Sequence, residues 1–251
     1  MAPGNLFQYV LSIGDDALII AQRLSEWAYR APFLEEDIAL SNISLDMFGR
    51  ANLFLDYAAS LKGNDTTADE LAFKRNEREF TNNNLCEQHN GNLPDNMIRQ
   101  FFLDVFNKLF LIKLIDSNDD QLSAISQKAI KETNYHLRHS SKWIIRLGDG
   151  TPESHAKVQL AIDNLWMFTE ELFEMNENDI QMEQQKVGVD CSALKPQWDI
   201  IINDVLSETR VNRPEDVHMT TGGRQGLHTE HLGHLLTDMQ YLQRAYPDAK
   251  W

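Results

Sequence analysis

Two pairs of carboxylates recur at similar separations in this chain. Asp16 is followed thirty residues on by Asp46, at the head of Asp46-Met47-Phe48-Gly49; Asp104 is followed twenty-eight residues on by Glu132, at the head of Glu132-Thr133-Asn134-Tyr135. Helical bundles that hold two irons take a carboxylate from each of two helices and a Glu-x-x-His from each of two others. Three residues of helix bring acid and imidazole onto one face, where the carboxylates bridge the metals and an imidazole caps each one. Acids stand at all four places here, but Gly49 and Tyr135 occupy the two imidazole positions. His136 is one residue, about 100 degrees, off the face that Glu132 uses, and His139 lies about two turns along.

Asp104 lies on an otherwise apolar stripe (Met97, Phe101, Leu111), as does Glu132 (Ile125, Ala129, Trp143), so both are expected to face inward. Lys108 follows Asp104 by four and Lys128 precedes Glu132 by four, the spacing at which an ammonium meets a carboxylate on one helix face. Buried carboxylates must be paired or protonated. The set therefore reads as a metal-free remnant of a di-iron site closed by salt bridges. Asp16 sits beside its stripe and is equally well read as a solvated surface acid. The rival reading is a di-iron oxygenase or oxidase using Asp16, Asp46, Asp104 and Glu132, with His136 or His139 as a non-standard ligand; against it, Gly49 can supply no ligand.

The elements that must position these acids are all helical in pattern. Leu6, Val10, Ile13, Ala17, Ile20, Leu24 and Trp27 step by three and four, one stripe of a first long helix that Ala31-Pro32 breaks. A second runs from about Phe33 to Leu61, apolar on most sides and so expected to be central, and Lys62-Gly63 stops it. Residues 64 to 91 are polar, with a short helix expected over Asp69 to Phe80, and serve as a crossover. Pro94 starts a third helix through Ile112, and Asp119-Asp120 a fourth that ends at Gly148. Thr151-Pro152 starts a fifth through Leu172, Glu174 to Gln185 reads as an acidic loop, a shorter helix holds Leu194 to Val205, and a last one runs from about His228 to Tyr246. No segment alternates long enough for a sheet. The fold class is all-α: a ferritin-like helical bundle with additional C-terminal helices, a single domain over residues 1–251.

Thirty-eight acidic residues against 23 Lys and Arg give a formal charge of −15, with no basic cluster, which argues against a nucleic-acid partner. Cys86 and Cys191 are too few for a disulfide framework and suit a reducing cytoplasm. Asp15 and Asp16 interrupt the N-terminal apolar stretch, as no signal peptide allows, and no run is long enough to span a membrane.

Two further features could bind something. His228, His231 and His234 step by three, but each step drifts about 60 degrees, so the three cannot converge on one ion and a packing or subunit-contact role is expected. Thr221-Gly222-Gly223-Arg224-Gln225-Gly226 could offer backbone amides and the Arg224 guanidinium to an anion such as a coenzyme A phosphate, or form an ordinary tight turn. Arg224, His228 and His231 are thus candidates for anion or partner contact. A reactive thiol setting, a phosphate loop and a Gly-x-Ser-x-Gly elbow are all missing.

The run Thr220-Thr221-Gly222-Gly223-Arg224-Gln225-Gly226-Leu227-His228-Thr229-Glu230-His231-Leu232-Gly233, followed by Met239-Gln240-Tyr241-Leu242-Gln243, resembles the C-subunit family of the bacterial phenylacetyl-CoA 1,2-epoxidases. Gln22 to Trp27, Asp37 to Asp46, Ala129 to Glu132 and Tyr135 to Arg138 are similar to the same family, in order, so the likeness covers essentially the whole chain. It implies a ferritin-like, non-catalytic structural subunit of a monooxygenase complex in aerobic phenylacetate catabolism. The implied partners are a homologous catalytic A subunit that carries the di-iron centre and other subunits including a reductase; this subunit is expected to hold no cofactor.

Overall fold

The structure, a computed structural model, describes residues 3–216, 218–247 and 249. Among them every regular element is helical: α1 (Pro3–Ser25), α2 (Leu34–Lys62), α3 (Ala68–Phe73), α4 (Asn84–Glu87), α5 (Leu93–Leu114), α6 (Asp120–Gly148), α7 (Pro152–Leu165), α8 (Glu177–Gln184), α9 (Lys195–Ser207) and α10 (Glu230–Ala245). Two long hairpins joined by a crossover and followed by shorter helices are the ferritin-like order of elements, with the additional C-terminal helices expected. No described helix is long and apolar enough to cross a membrane.

Helix ends fall where local chemistry puts them. Thr151 Oγ1 accepts from the Ser154 amide with Pro152 in the first turn, Asp119 caps α6 through the Leu122 amide, and Asn92 and Asp95 form a reciprocal capping box on α5. Gly63, at φ +69°, closes α2.

The chain resolves into two compact units, Met1–His89 with Gly222–Trp251, and Asn90–Thr221. In the first, α1 and α2 form an antiparallel hairpin: Gly14 faces Phe54 and Leu55, and one turn or two further Ser44 donates to the Ala21 carbonyl. Val10, Ile19, Ile20, Leu24, Ile43, Phe54 and Ala58 are its dry interior. In the second, α5 and α6 pair in the same way and α7 and α9 cover α5. Phe102, Trp166, Trp198 and Phe173 interlock there with ring centroids 5.5 to 5.8 Å apart for the Trp198 contacts, and Trp198 Nε1 donates to the Phe102 carbonyl.

Four expectations need correcting. The most enclosed helix is α5, buried continuously from Asn96 to Phe106, rather than α2, whose Leu34, Ile38 and Leu45 are exposed. The crossover helix stops at Phe73, after which residues 77–79 make one 3-10 turn and Asn84–Glu87 a single α-turn. The acidic stretch after Glu174 is not all loop, because Asn176 and Asp179 cap each other's backbone and start α8. Similarly the fifth helix ends at Leu165 and gives way to two 3-10 turns.

Candidate functional site

Successive residues on a helix point about 100 degrees apart, so Asp15 and Asp16 on α1 serve two different partners. Asp15 is fully buried; Arg75 forks onto it, and the Thr81 amide and hydroxyl add bonds of 2.9 and 3.1 Å. The Arg75 guanidinium also lies 4.0 Å above the Phe80 ring and donates to the Glu79 carbonyl.

Asp16 accepts from Arg224 Nη2 at 2.6 Å, from the Asn83 amide at 2.7 Å and from Asn83 Nδ2 at 3.1 Å. Arg224 Nη1 in turn donates to the Ser12 and Thr81 carbonyls at 3.0 and 2.8 Å. Burial pushes the Asp16 carboxyl above its usual range, and the Arg224 charge and the Asn83 amide work against that rise.

Glu87, also fully buried, is the third centre of this polar layer. It accepts from the Thr229 amide (2.6 Å) and hydroxyl (2.8 Å) and from Asn82 Nδ2 (2.9 Å), and His228 Nδ1 lies 2.8 Å from Oε2. His228 Nε2 faces the Phe80 carbonyl at 2.9 Å, so each ring nitrogen has an oxygen within hydrogen-bond distance. Arg23 ties the same segment to α1 and α10, donating to the Glu87 and His231 carbonyls at 2.9 and 2.7 Å.

The glycines around Arg224 make this clamp possible. Gly226 sits at φ +75°, and a Cβ there would lie 2.4 Å from the Arg78 carbonyl; Gly222, at φ +110°, turns the chain so that its carbonyl accepts from the Gln225 and Leu227 amides. Arg224, the candidate for an anion, turns its Nη1 and Nη2 onto Asp16 and two carbonyls of its own chain. His228 likewise packs inside, whereas His231 is half-buried with its ring 4.7 Å from that of His89.

In the second unit Asp104 is buried on α5, as its stripe implied, but not against lysine. Gln100 Nε2 donates to Oδ1 at 2.6 Å and Ser140 Oγ to Oδ2 at 2.8 Å. Among the described residues Lys108 makes no ion pair or hydrogen bond, and Lys128 is exposed and makes none either. An ammonium is costly to dehydrate, and the two neutral donors satisfy lone pairs of the carboxylate without bringing a second charge inside. Ser140 lies about two turns beyond Glu132 on α6. Glu132 is half-buried, His136 fully buried, and Tyr135 exposed with its ring stacked against that of His139.

Asp46 is half-buried on α2, and Gly49, one turn on, is open to solvent, with nothing within 4 Å of where a Cβ would stand. Among the described residues no group of three or more His, Cys, Asp and Glu is placed to share an ion. Taken one by one, position 49 is a glycine, position 135 an exposed tyrosine, and Asp16 and Asp104 each hold arginine, amide or hydroxyl donors within their own unit.

Sequence reasoning missed Asp15, Arg75, Glu87 and Arg23, all inside the polar layer. The signal was the Asp15-Asp16 doublet itself, since two adjacent acids in an apolar helix demand two partners.

A family model described as phenylacetic acid catabolic protein matches residues 2–251. The chain is 48% identical over 247 residues, 98% of this chain and 99% of the relative, to the C subunit of the 1,2-phenylacetyl-CoA epoxidase of Escherichia coli (strain K12).

Proposed function

This chain belongs to the phenylacetic acid catabolic protein family, and on that premise we propose that it is the non-catalytic, structural subunit of a di-iron monooxygenase complex that epoxidises the ring of phenylacetyl-CoA. It pairs with a homologous catalytic A subunit and stabilises it; the irons reside in that partner, and a separate reductase subunit supplies its electrons. The complex works in the cytoplasm, where Cys86 and Cys191, which no disulfide joins, stay as thiols.

The observation that carries this reading is the fate of the inherited carboxylates. Asp16 is neutralised by Arg224 and Asp104 is satisfied by Gln100 and Ser140, so the acids that would hold metal instead hold the chain together. A bundle that turns its ligands into internal bonds keeps its outer packing faces, which is what a scaffold beside a catalytic sibling requires.

The test is metal analysis and epoxidation assay of the chain alone and co-purified with the catalytic-type sister subunit and reductase. Iron and activity are expected only in the assembled preparation, with iron unchanged by Asp104→Asn. Stoichiometric iron in the lone chain, lost on Asp104→Asn or Glu132→Gln, would make it the oxygenase.

A further inference from the structure

The outer side of α2 is apolar where an ordinary surface helix is polar. Leu34, Ile38 and Leu45 recur at steps of four and seven on one face, and the residues that precede it in the chain include the exposed Tyr29 and Phe33; the five exposures run from 53% to 98%. Together they leave roughly several hundred Å² of apolar surface open, the size at which a patch marks an interface and a large part of the ~800 Å² that one side of a standard interface buries.

Gly49 continues the face from Leu45. A mid-helix glycine weakens its helix, and nothing inside the unit asks for one here, because a Cβ would touch nothing within 4 Å. It opens instead onto a cleft of about 320 Å³ whose walls include Phe48 and Asn52 of α2, Gln22 of α1 and Phe73 of α3. A row of knobs leading to a hole with an aromatic wall is the surface that a helix of another chain can interlock with.

The charges beside the row select the occupant. Glu35 lies at its N-terminal end and Asp46 and Asp56 toward the other. Two copies of this face related by a two-fold axis would set acid against acid, in a chain that already carries −15.

We propose that the exposed face of α2 from Phe33 to Gly49 is the docking surface for the sister subunit, through an amphipathic helical surface whose apolar row is flanked by Lys and Arg and which seats a large side chain in the Gly49 cleft. This rests on the pairing proposed above and adds where it occurs and what chemistry the partner presents.

Leu34→Glu/Ile38→Glu/Leu45→Glu and, separately, Gly49→Leu are compared with the wild-type chain for binding the purified sister subunit by calorimetry and by light-scattering mass. Leu160→Glu/Ile200→Glu, at exposed apolar positions of the other unit, is the control. The triple variant should keep wild-type helicity and Tm and bind at least a hundredfold more weakly. Gly49→Leu should raise Tm and still lose at least tenfold in affinity, opposite movements that a folding defect cannot produce. Wild-type affinity should fall as salt rises, and the control should bind normally. Normal binding by both α2 variants overturns the docking face while leaving the pairing intact; a wild-type chain that forms no complex overturns the pairing and the face with it; a wild-type homodimer dissolved by the triple variant overturns the basic, heterologous occupant.

Discussion

Arg224→Met should cost the isolated chain about 2–4 kcal/mol. The methionine keeps the apolar stem but removes one bond to the Asp16 carboxylate at 2.6 Å and two to the Ser12 and Thr81 carbonyls at 3.0 and 2.8 Å. Each lost neutral acceptor bond contributes about 1 kcal/mol. Stripping a buried pair of one partner costs about 3–5 kcal/mol, discounted here because Arg224 and Asp16 keep 18% and 19% of their side-chain surface open to water. Asp16 already has a raised pKa through burial, and losing Arg224 raises it further. A carboxyl with a raised folded pKa binds more protons folded than unfolded, so its contribution to stability is present below 3.8 and is lost as pH rises through the folded pKa. The deficit of the variant is therefore largest at neutral pH and shrinks on acidification, when protonated Asp16 needs no counter-charge. Thermal and urea unfolding at pH 7.5 and 5 measure this, the neutral loss appearing as a drop of about 5–15 °C. Asp16→Asn should rescue much of it in the double variant. A loss below about 0.5 kcal/mol, or additive single effects with no coupling, would refute the claim that Arg224 is the counter-ion of Asp16.

The two glycines should respond in opposite senses. Gly226→Ala places a Cβ 2.4 Å from a carbonyl at φ +75° and should cost about 1–3 kcal/mol, whereas Gly49→Ala should stabilise by about 0.5–1 kcal/mol in urea titrations of the isolated chain. Burial first, then the neighbouring His89 and Arg23 charges, hold the His231 imidazole below its ordinary 6.5. The unfolded chain then binds its proton first, so stability falls as pH drops through 6.5 toward the folded value; His231→Gln should flatten the slope of Tm against pH between 5 and 7.5, and an unchanged slope would show that His231 does not set it. Trp198→Ala removes a fully buried ring packed on Phe102, Trp166 and Phe173 and should cost about 3–5 kcal/mol, read by fluorescence-monitored unfolding.

The helices were legible because their signals are local. Stripes, caps and stop residues lie within a turn or two of the ends they set, so α1, α2, α5 and α6 could be read off Leu6-to-Trp27, Gly63, Pro94 and Asp119-Asp120. α8 slipped past, despite the capping box of Asn176 with Asp179 at its start, because its eight residues bury only Met182 and so carry no apolar stripe. The positions of the carboxylates, and the absence of His at Gly49 and Tyr135, were equally visible in one dimension.

Their partners were not. The i,i+4 rule offered Lys108 and Lys128 because it sees only a single helix, and it cannot weigh the dehydration of an ammonium against that of an amide or hydroxyl. Asp16 found its cation 208 positions away in Arg224, and Glu87 found His228 at a separation of 141. Sequence alone determined which acids exist and on which helices they stand. Only the tertiary structure decided what each acid holds, because a buried charge takes whichever donor the packed chain brings to it at the least cost in lost hydration, and chain distance does not enter that comparison.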